Sequence, residues 1–274
     1  MLKLAVIGAQ ALLGRELIGG LEPQDCSVLP LATGALTRAE EEGDLVMFAP
    51  IPTLLEGLDA VILVDTPQDP DLLATFPGRI LDLREDADPK TAGDPMPLAG
   101  IWPPTVLRFR GRPAIEQVLA MVPGLVSGIG SLSGTHLRSV ACLGDAGVEG
   151  LLKQTRDVMS GEDPDTTALG YRAAFEVVPQ APRGNLIEVR TPTFHGDLLI
   201  LSLRAAEGQV LAPQEAPGSV AWVDAPPSSR DVAVNSNLLA HMSLAEGGRS
   251  ALLTLGFDPI LWGVLRPTLR LFGL

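Results

Sequence analysis

Two glycines six residues apart, Gly8 and Gly14 in the stretch VIGAQALLG, follow an apolar run that reads as a strand. A glycine there lets the chain turn sharply. The helix after it offers unpaired N–H groups and the positive end of its dipole to a phosphate. The middle of the turn carries Ala11, whose methyl narrows the approach that a third glycine would leave open. The loop therefore fits either a dinucleotide site lined by Gly8, Gln10, Ala11, Leu12, Leu13 and Gly14, or a turn kept for packing the helix on the strand. Thr33, after the second predicted strand, stands where a hydroxyl meets the adenosine ribose or its phosphate, or where it caps a turn.

Other reactive side chains are sparse. Cys26 and Cys142 are the two thiols, each among apolar or small residues. His136, His195 and His241 are far apart, and no metal-ligand spacing links them to each other or to a cysteine. His195 reads as a surface or turn histidine. SGIGSLSG (127–134) lacks a following lysine and a G-x-S-x-G order, so it reads as a flexible interdomain loop and not as a phosphate loop or nucleophile elbow. Arg108, Arg110 and Arg112 form a small basic cluster, either a solvated turn or an anion contact.

The elements that must position these residues change character along the chain. Residues 4–7, 27–32, 44–48, 60–64 and 79–83 are apolar runs separated by polar turns and a helical stretch through Leu21. This predicts a parallel sheet covered on both faces, a Rossmann-like α/β domain. Residues 86–112 read as a Pro- and Gly-rich connection, and 113–123 as a short helix. After it, LRSVACL, AAFEVVP, NLIEVRTP and DLLILSLRA alternate apolar with polar residues and predict half-covered, antiparallel strands of an α+β domain. GVEGLLKQTRDVMSG is an amphipathic helix and 212–230 a loop. Residues 235–244 and 249–255 read as helices, and the apolar tail ILWGVLRPTLRLFGL reads as a final helix packed on the first domain.

At 274 residues, with 46% apolar residues, the chain has ample material for these two domains. A balance of 20 basic against 33 acidic residues gives −13, a surface that repels nucleic acid and anionic lipid. No run is long enough to span a bilayer. Two cysteines without a disulfide framework are expected of a reduced, cytoplasmic protein.

In order, KLAVIGAQALLGREL, ACLGDAGVEGLLKQTRDVMSGE, YRAAFEVVPQ and IEVRTPTFHGD resemble the aspartate-semialdehyde dehydrogenase family, across most of residues 1–205. The resemblance implies an NADP-binding Rossmann domain at 1–112, completed by helices from 235–274, and a dimerisation domain at 113–234. It also implies a cysteine nucleophile and a histidine acid/base. Matched without gaps, the cysteine position falls on Arg112 and the histidine position on Asp197. The segment holding the family's acidic and lysine substrate ligands is shortened to APRGN, and the glutamine- and serine-containing loop after RSVACL is missing. Arg190 alone matches the substrate carboxylate clamp, with pairing to Glu188 or to a dimer neighbour as the other reading. This is the pattern of the USG-1-like relatives, which keep the fold and lose the nucleophile. The expectation is a homodimeric pseudoenzyme with a binding or scaffolding role, an unidentified protein partner, an NADP site by resemblance and no metal. The alternative is an NADP-dependent oxidoreductase of a small semialdehyde with rearranged catalytic residues.

Overall fold

The structure, a computed structural model, describes residues 1–36, 45–84, 87–180, 182 and 184–274. It divides into two compact units, Met1–Pro113 with Gly263–Leu274, and Ala114–Trp262.

In the first unit the strands are β1 (Leu2–Ile7), β2 (Cys26–Leu31), β3 (Ala60–Leu63), β4 (Arg79–Asp82), β5 (Asp94–Pro95) and β6 (Arg108–Arg110), with α1 (Leu12–Leu21) after β1. They form one parallel sheet in the order β2-β1-β3-β4-β6-β5. Burial on both faces explains the continuous apolar runs. Leu4, Val6, Ile62 and Leu81 face α1 and the C-terminal helix Arg266–Phe272, while Ala5, Ile7, Val61 and Ile80 face Leu55, Leu72 and Leu73. Asp44, in the expected third strand, lies outside the described residues; Phe48 makes a single parallel bridge to Leu31. The expected connection at 86–112 instead supplies two strands. Arg108 and Arg110 are therefore strand residues, with Phe109 buried between them, and not a solvated turn.

The second unit runs α2 (Ala114–Leu125), β7 (Val126–Ser127), β8 (Ile129–Arg138), α3 (Gly144–Met159), β9 (Val178–Pro179), β10 (Leu186–Arg190), β11 (Asp197–Ala205), β12 (Ala212–Pro213), β13 (Val220–Trp222), α4 (Ser229–Ala233), β14 (Leu238–Leu244) and β15 (Ser250–Phe257). Seven strands form a mixed sheet, β13-β14-β15-β11-β8-β10-β9. Val118, Val122 and Leu125 of α2 pack on Leu199, Leu201, Leu253 and Leu255.

Four expectations fail here. Residues 238–244 and 250–257 are strands and not helices: Ala251, Leu253, Leu255 and Phe257 alternate inward while the segment pairs with β11 and β14. SGIGSLSG is not a loop but most of β8, at the middle of the sheet. A Cβ at Gly134 would lie 2.2 Å from Ile200 O, so the small residue serves close strand packing. Val220–Trp222, inside the expected loop, is an edge strand parallel to β14. The predicted strand around Phe175 is broken by that residue's positive φ of 59°, and only Val178–Pro179 pairs.

The chain returns to the first unit through a helix whose π-turn, Leu261–Leu265, contains the division between the units. Leu265, Leu269, Leu271 and Phe272 then pack in the first unit's core, and Trp262 in the second's.

Candidate functional site

The sequence-predicted residues separate into two groups. Gly8, Gln10, Ala11, Leu12, Leu13, Gly14, Thr33 and Arg112 belong to the first unit, and Arg190 and Asp197 to the second.

In the first unit β1 lies between β2 and β3, so the chain order reverses at the C-terminal end of β1. That crevice is where open parallel sheets take ligands. Gly8 turns the chain with φ 89°, and a Cβ on it would meet Asp65 Cβ at 2.7 Å, in the loop after β3. A Cβ on Gly14 would lie 2.3 Å from Gly8 O, so this glycine lets α1 pack onto the strand. Ala11 caps α1 with φ −70°, a conformation that needs no glycine, and its own side chain makes no hydrogen bond to the helix. Leu13 packs into the core. Thr33 joins the loops: Gln10 Nε2 donates to its Oγ1 (3.3 Å) and Gln68 N to its carbonyl (2.7 Å). Gln10 Oε1 is buried without a hydrogen-bond partner. Arg15 donates back to Gln10 O, setting a cation at the mouth of the turn.

Arg112 follows β6, and its Nε donates to Met96 O (2.6 Å). Cys26, in the same unit, is pushed up in pKa by burial and by Asp25, and donates to Leu21 O. It is not an activated thiol.

In the second unit Asp197 is buried at the start of β11. Its Oδ2 lies 2.8 Å from His136 Nε2, and its Oδ1 accepts from Ser139 N (2.9 Å) and Oγ (2.8 Å). That bond to the Ser139 amide ends β8. Residues 140–143 form a 3-10 turn that leads into α3, so Cys142 is not in the expected strand. Cys142 Sγ donates to Ser139 O (2.9 Å).

Arg190 does not pair with Glu188, which meets Arg138 Nη1 at 3.3 Å. Its guanidinium sits 4.7 Å from the centroid of the Tyr171 ring. Burial pushes the Tyr171 phenol up in pKa, against the opposing pull of Arg190. Tyr171 is positioned by Gln154, fully buried on α3. The Gln154 Nε2 donates to Tyr171 O (3.0 Å) and Asp165 O (3.1 Å), and its Oε1 accepts from Ala173 N (2.7 Å) and Ala174 N (3.2 Å). His195 is not a bare surface histidine, since its Nε2 lies 2.6 Å from Asp258 Oδ2.

Solved structures share this fold. A probable aspartate-semialdehyde dehydrogenase from Pseudomonas aeruginosa superposes with a TM-score of 0.74 at 18% identity, over 98% of this chain and 97% of that one. The fold is that of aspartate-semialdehyde dehydrogenase. Aspartate-semialdehyde dehydrogenase II of Vibrio cholerae, complexed with ASA, gives 0.71 at 14% identity over 98% and 96% of the two chains. The Francisella tularensis enzyme gives 0.67 at 12% over 97% of each. No protein-family model and no curated protein matches by sequence.

Within this aspartate-semialdehyde dehydrogenase fold, sequence reasoning missed His136, Arg138, Ser139, Gln154 and Tyr171 as members of the polar cluster around Asp197 and Arg190. The Q-T pair at 154–155 was visible as a motif, but its clamp on Tyr171 depends on a loop that no local pattern places. Among the described residues no cluster of ligands could hold a metal ion, and no helix is long and apolar enough to cross a membrane.

Proposed function

We propose that this protein is a catalytically degenerate relative of the aspartate-semialdehyde dehydrogenases, a homodimer that binds small anionic ligands and does not turn over a semialdehyde. The observation that carries the reading is Asp197. The residue at the family's acid/base position is buried and committed through both oxygens to His136 and Ser139. Arg112, at the nucleophile's position, cannot form a thioester. Arg190, stacked on Tyr171, keeps the charge that would hold a carboxylate.

A dinucleotide site belongs to the same reading. Gly8 and the N-terminal turn of α1 would receive the diphosphate, and the orphaned Gln10 Oε1 would accept from a ribose hydroxyl. NADP, when bound, would supply hydride chemistry; in this reading it serves as a ligand. A reducing, cytoplasmic setting fits two free cysteines. An unidentified protein partner completes the proposed scaffolding role.

A second reading, an oxidoreductase with rearranged residues, is favoured by one observation: Cys142 stands in the turn that feeds α3. One assay separates them. With NADP, inorganic phosphate and aspartate semialdehyde at high protein concentration, no NADP reduction is expected. Turnover that disappears when iodoacetamide labels Cys142 would overturn the pseudoenzyme reading.

A further inference from the structure

β1 has β2 on one side and β3 on the other, and each neighbour ends in a loop beside the glycine turn. The loop after β2 holds Thr33, bonded to Gln10, whose Oε1 meets no donor. The loop after β3 holds Asp65. A Cβ on Gly8 would lie 2.7 Å from Asp65 Cβ and 2.8 Å from Asp65 N, so glycine is what lets this loop come so close to the turn. Two anchors keep the loop there. Thr66 Oγ1 accepts from Arg84 Nη1 (3.0 Å), with Arg84 forked onto Asp82 at 2.8 and 2.6 Å, and Gln68 N donates to the Thr33 carbonyl (2.7 Å).

The Asp65 side chain is exposed. Among the described residues it accepts only from the amide of Thr66 (2.6 Å), and no cation pairs with it, Arg15 at the mouth of the turn included. An unneutralised carboxylate beside an anion-binding turn weakens the hold on a diphosphate alone, because like charges repel. It favours a ligand that brings hydroxyl donors to the same place. A carboxylate offers acceptor sites only, and its hydrogen bonds are stronger than those of a neutral acceptor.

We propose that Asp65 accepts from the hydroxyls of a second ribose, so that the turn selects a ligand with a ribose on each side of its diphosphate. The inference rests on the reading of the Gly8 turn as a dinucleotide site. It adds the residue that tells a dinucleotide from a nucleoside diphosphate. A ligand laid across the point where strand order reverses puts one half on each flank of β1. Thr33 and Gln10 serve the half on the β2 side, and Asp65 the half on the β3 side. ADP ends at its diphosphate, so it meets the charge of Asp65 and brings no hydroxyls to it.

The test is calorimetric titration of the full chain with NADP, ADP-ribose and ADP, in the parent, Asp65→Asn and Asp65→Ala. In the parent, ADP-ribose is expected to bind at least about tenfold more tightly than ADP. Asp65→Ala should remove that preference and weaken NADP at least about tenfold, while ADP binds as tightly as before or more so. Asp65→Asn, which keeps an acceptor oxygen, should fall between. Asp65 is exposed, so both variants are expected to fold, and thermal melts establish it. ADP-ribose no tighter than ADP in the parent, or an alanine variant that keeps the preference or gains affinity for NADP, would overturn the proposal and leave the dinucleotide reading standing. A parent that binds none of the three would overturn both, so the two failures are distinct.

Discussion

His136 Nε2 and Asp197 Oδ2, 61 residues apart in sequence, lie 2.8 Å apart with both side chains almost fully buried. Removing one partner of such a pair leaves the other desolvated and unmatched. Asp197→Ala strips acceptors from His136 and from the Ser139 amide and hydroxyl together. It should destabilise the fold by roughly 3 kcal/mol, and Asp197→Asn, which keeps an acceptor oxygen, by less. Urea unfolding midpoints check both.

Gly134 and Gly124 should respond in opposite directions to the same substitution. A methyl at Gly134 meets Ile200 O at 2.2 Å inside the sheet, whereas one at Gly124, on α2, meets nothing within 4 Å. Gly134→Ala should cost about 2–3 kcal/mol. Gly124→Ala should add about 0.5–1 kcal/mol through helix propensity. Thermal melts of the two variants make the comparison.

Ala11, in the turn between β1 and α1, has φ −70°, so its replacement by glycine answers no conformational requirement. Glycine is also the better helix cap. Ala11→Gly should leave the melting temperature within about 2 °C of the parent and tighten NADP in calorimetric titration. Unchanged or weaker NADP binding would count against a diphosphate seated on this turn.

Asp258 links His195 to the helix that follows it, accepting from Ile260 N (2.8 Å) and Leu261 N (3.0 Å). Burial would raise its pKa, but the His195 hydrogen bond and the two amides outweigh burial and hold the carboxyl below its usual range. A depressed carboxyl stabilises the fold above the unfolded value, about 3.9, and that contribution disappears as pH falls through the folded value. The stability gap between the parent and Asp258→Asn should therefore be largest near neutrality and shrink below about pH 4. Urea titrations across that range measure it.

Ile187 and Leu252 are both about half exposed, on the face of the large sheet opposite α2. If the proposed homodimer uses that face, Ile187→Glu with Leu252→Glu should shift sedimentation to the monomer while each chain stays folded. A parent that sediments as a monomer at micromolar concentration would remove the dimer from the reading.

What the sequence made legible follows from how local each feature is. β1, β3 and β4 stood out because a strand buried on both faces is apolar at consecutive positions, as in Leu4–Ile7, Ala60–Leu63 and Ile80-Leu81. The Gly8 and Gly14 turn stood out because its requirements are confined to seven residues. β14 and β15 were misread because Leu, Ala, His and Met suit a helix by propensity. Pairing with β11 decided otherwise. β8 was misread because its glycines and serines resemble a loop until the crowding against Ile200 is known. The polar cluster of the second unit was illegible for a related reason. Arg138 meets Arg190, and His136 meets Asp197, only through strand register.

The helix that carries the π-turn at Leu261–Leu265 also imposes an order on biosynthesis. The first unit is not a continuous stretch of chain, because Leu265, Leu269 and Leu271 cover a face whose strands are translated first. While the ribosome makes the entire second unit, that face has α1 as cover but lacks the C-terminal helix, and the part left bare is open to holding factors or to mispairing. The last helix thus acts as a completion signal, sealing the sheet only once the intervening unit has been synthesised.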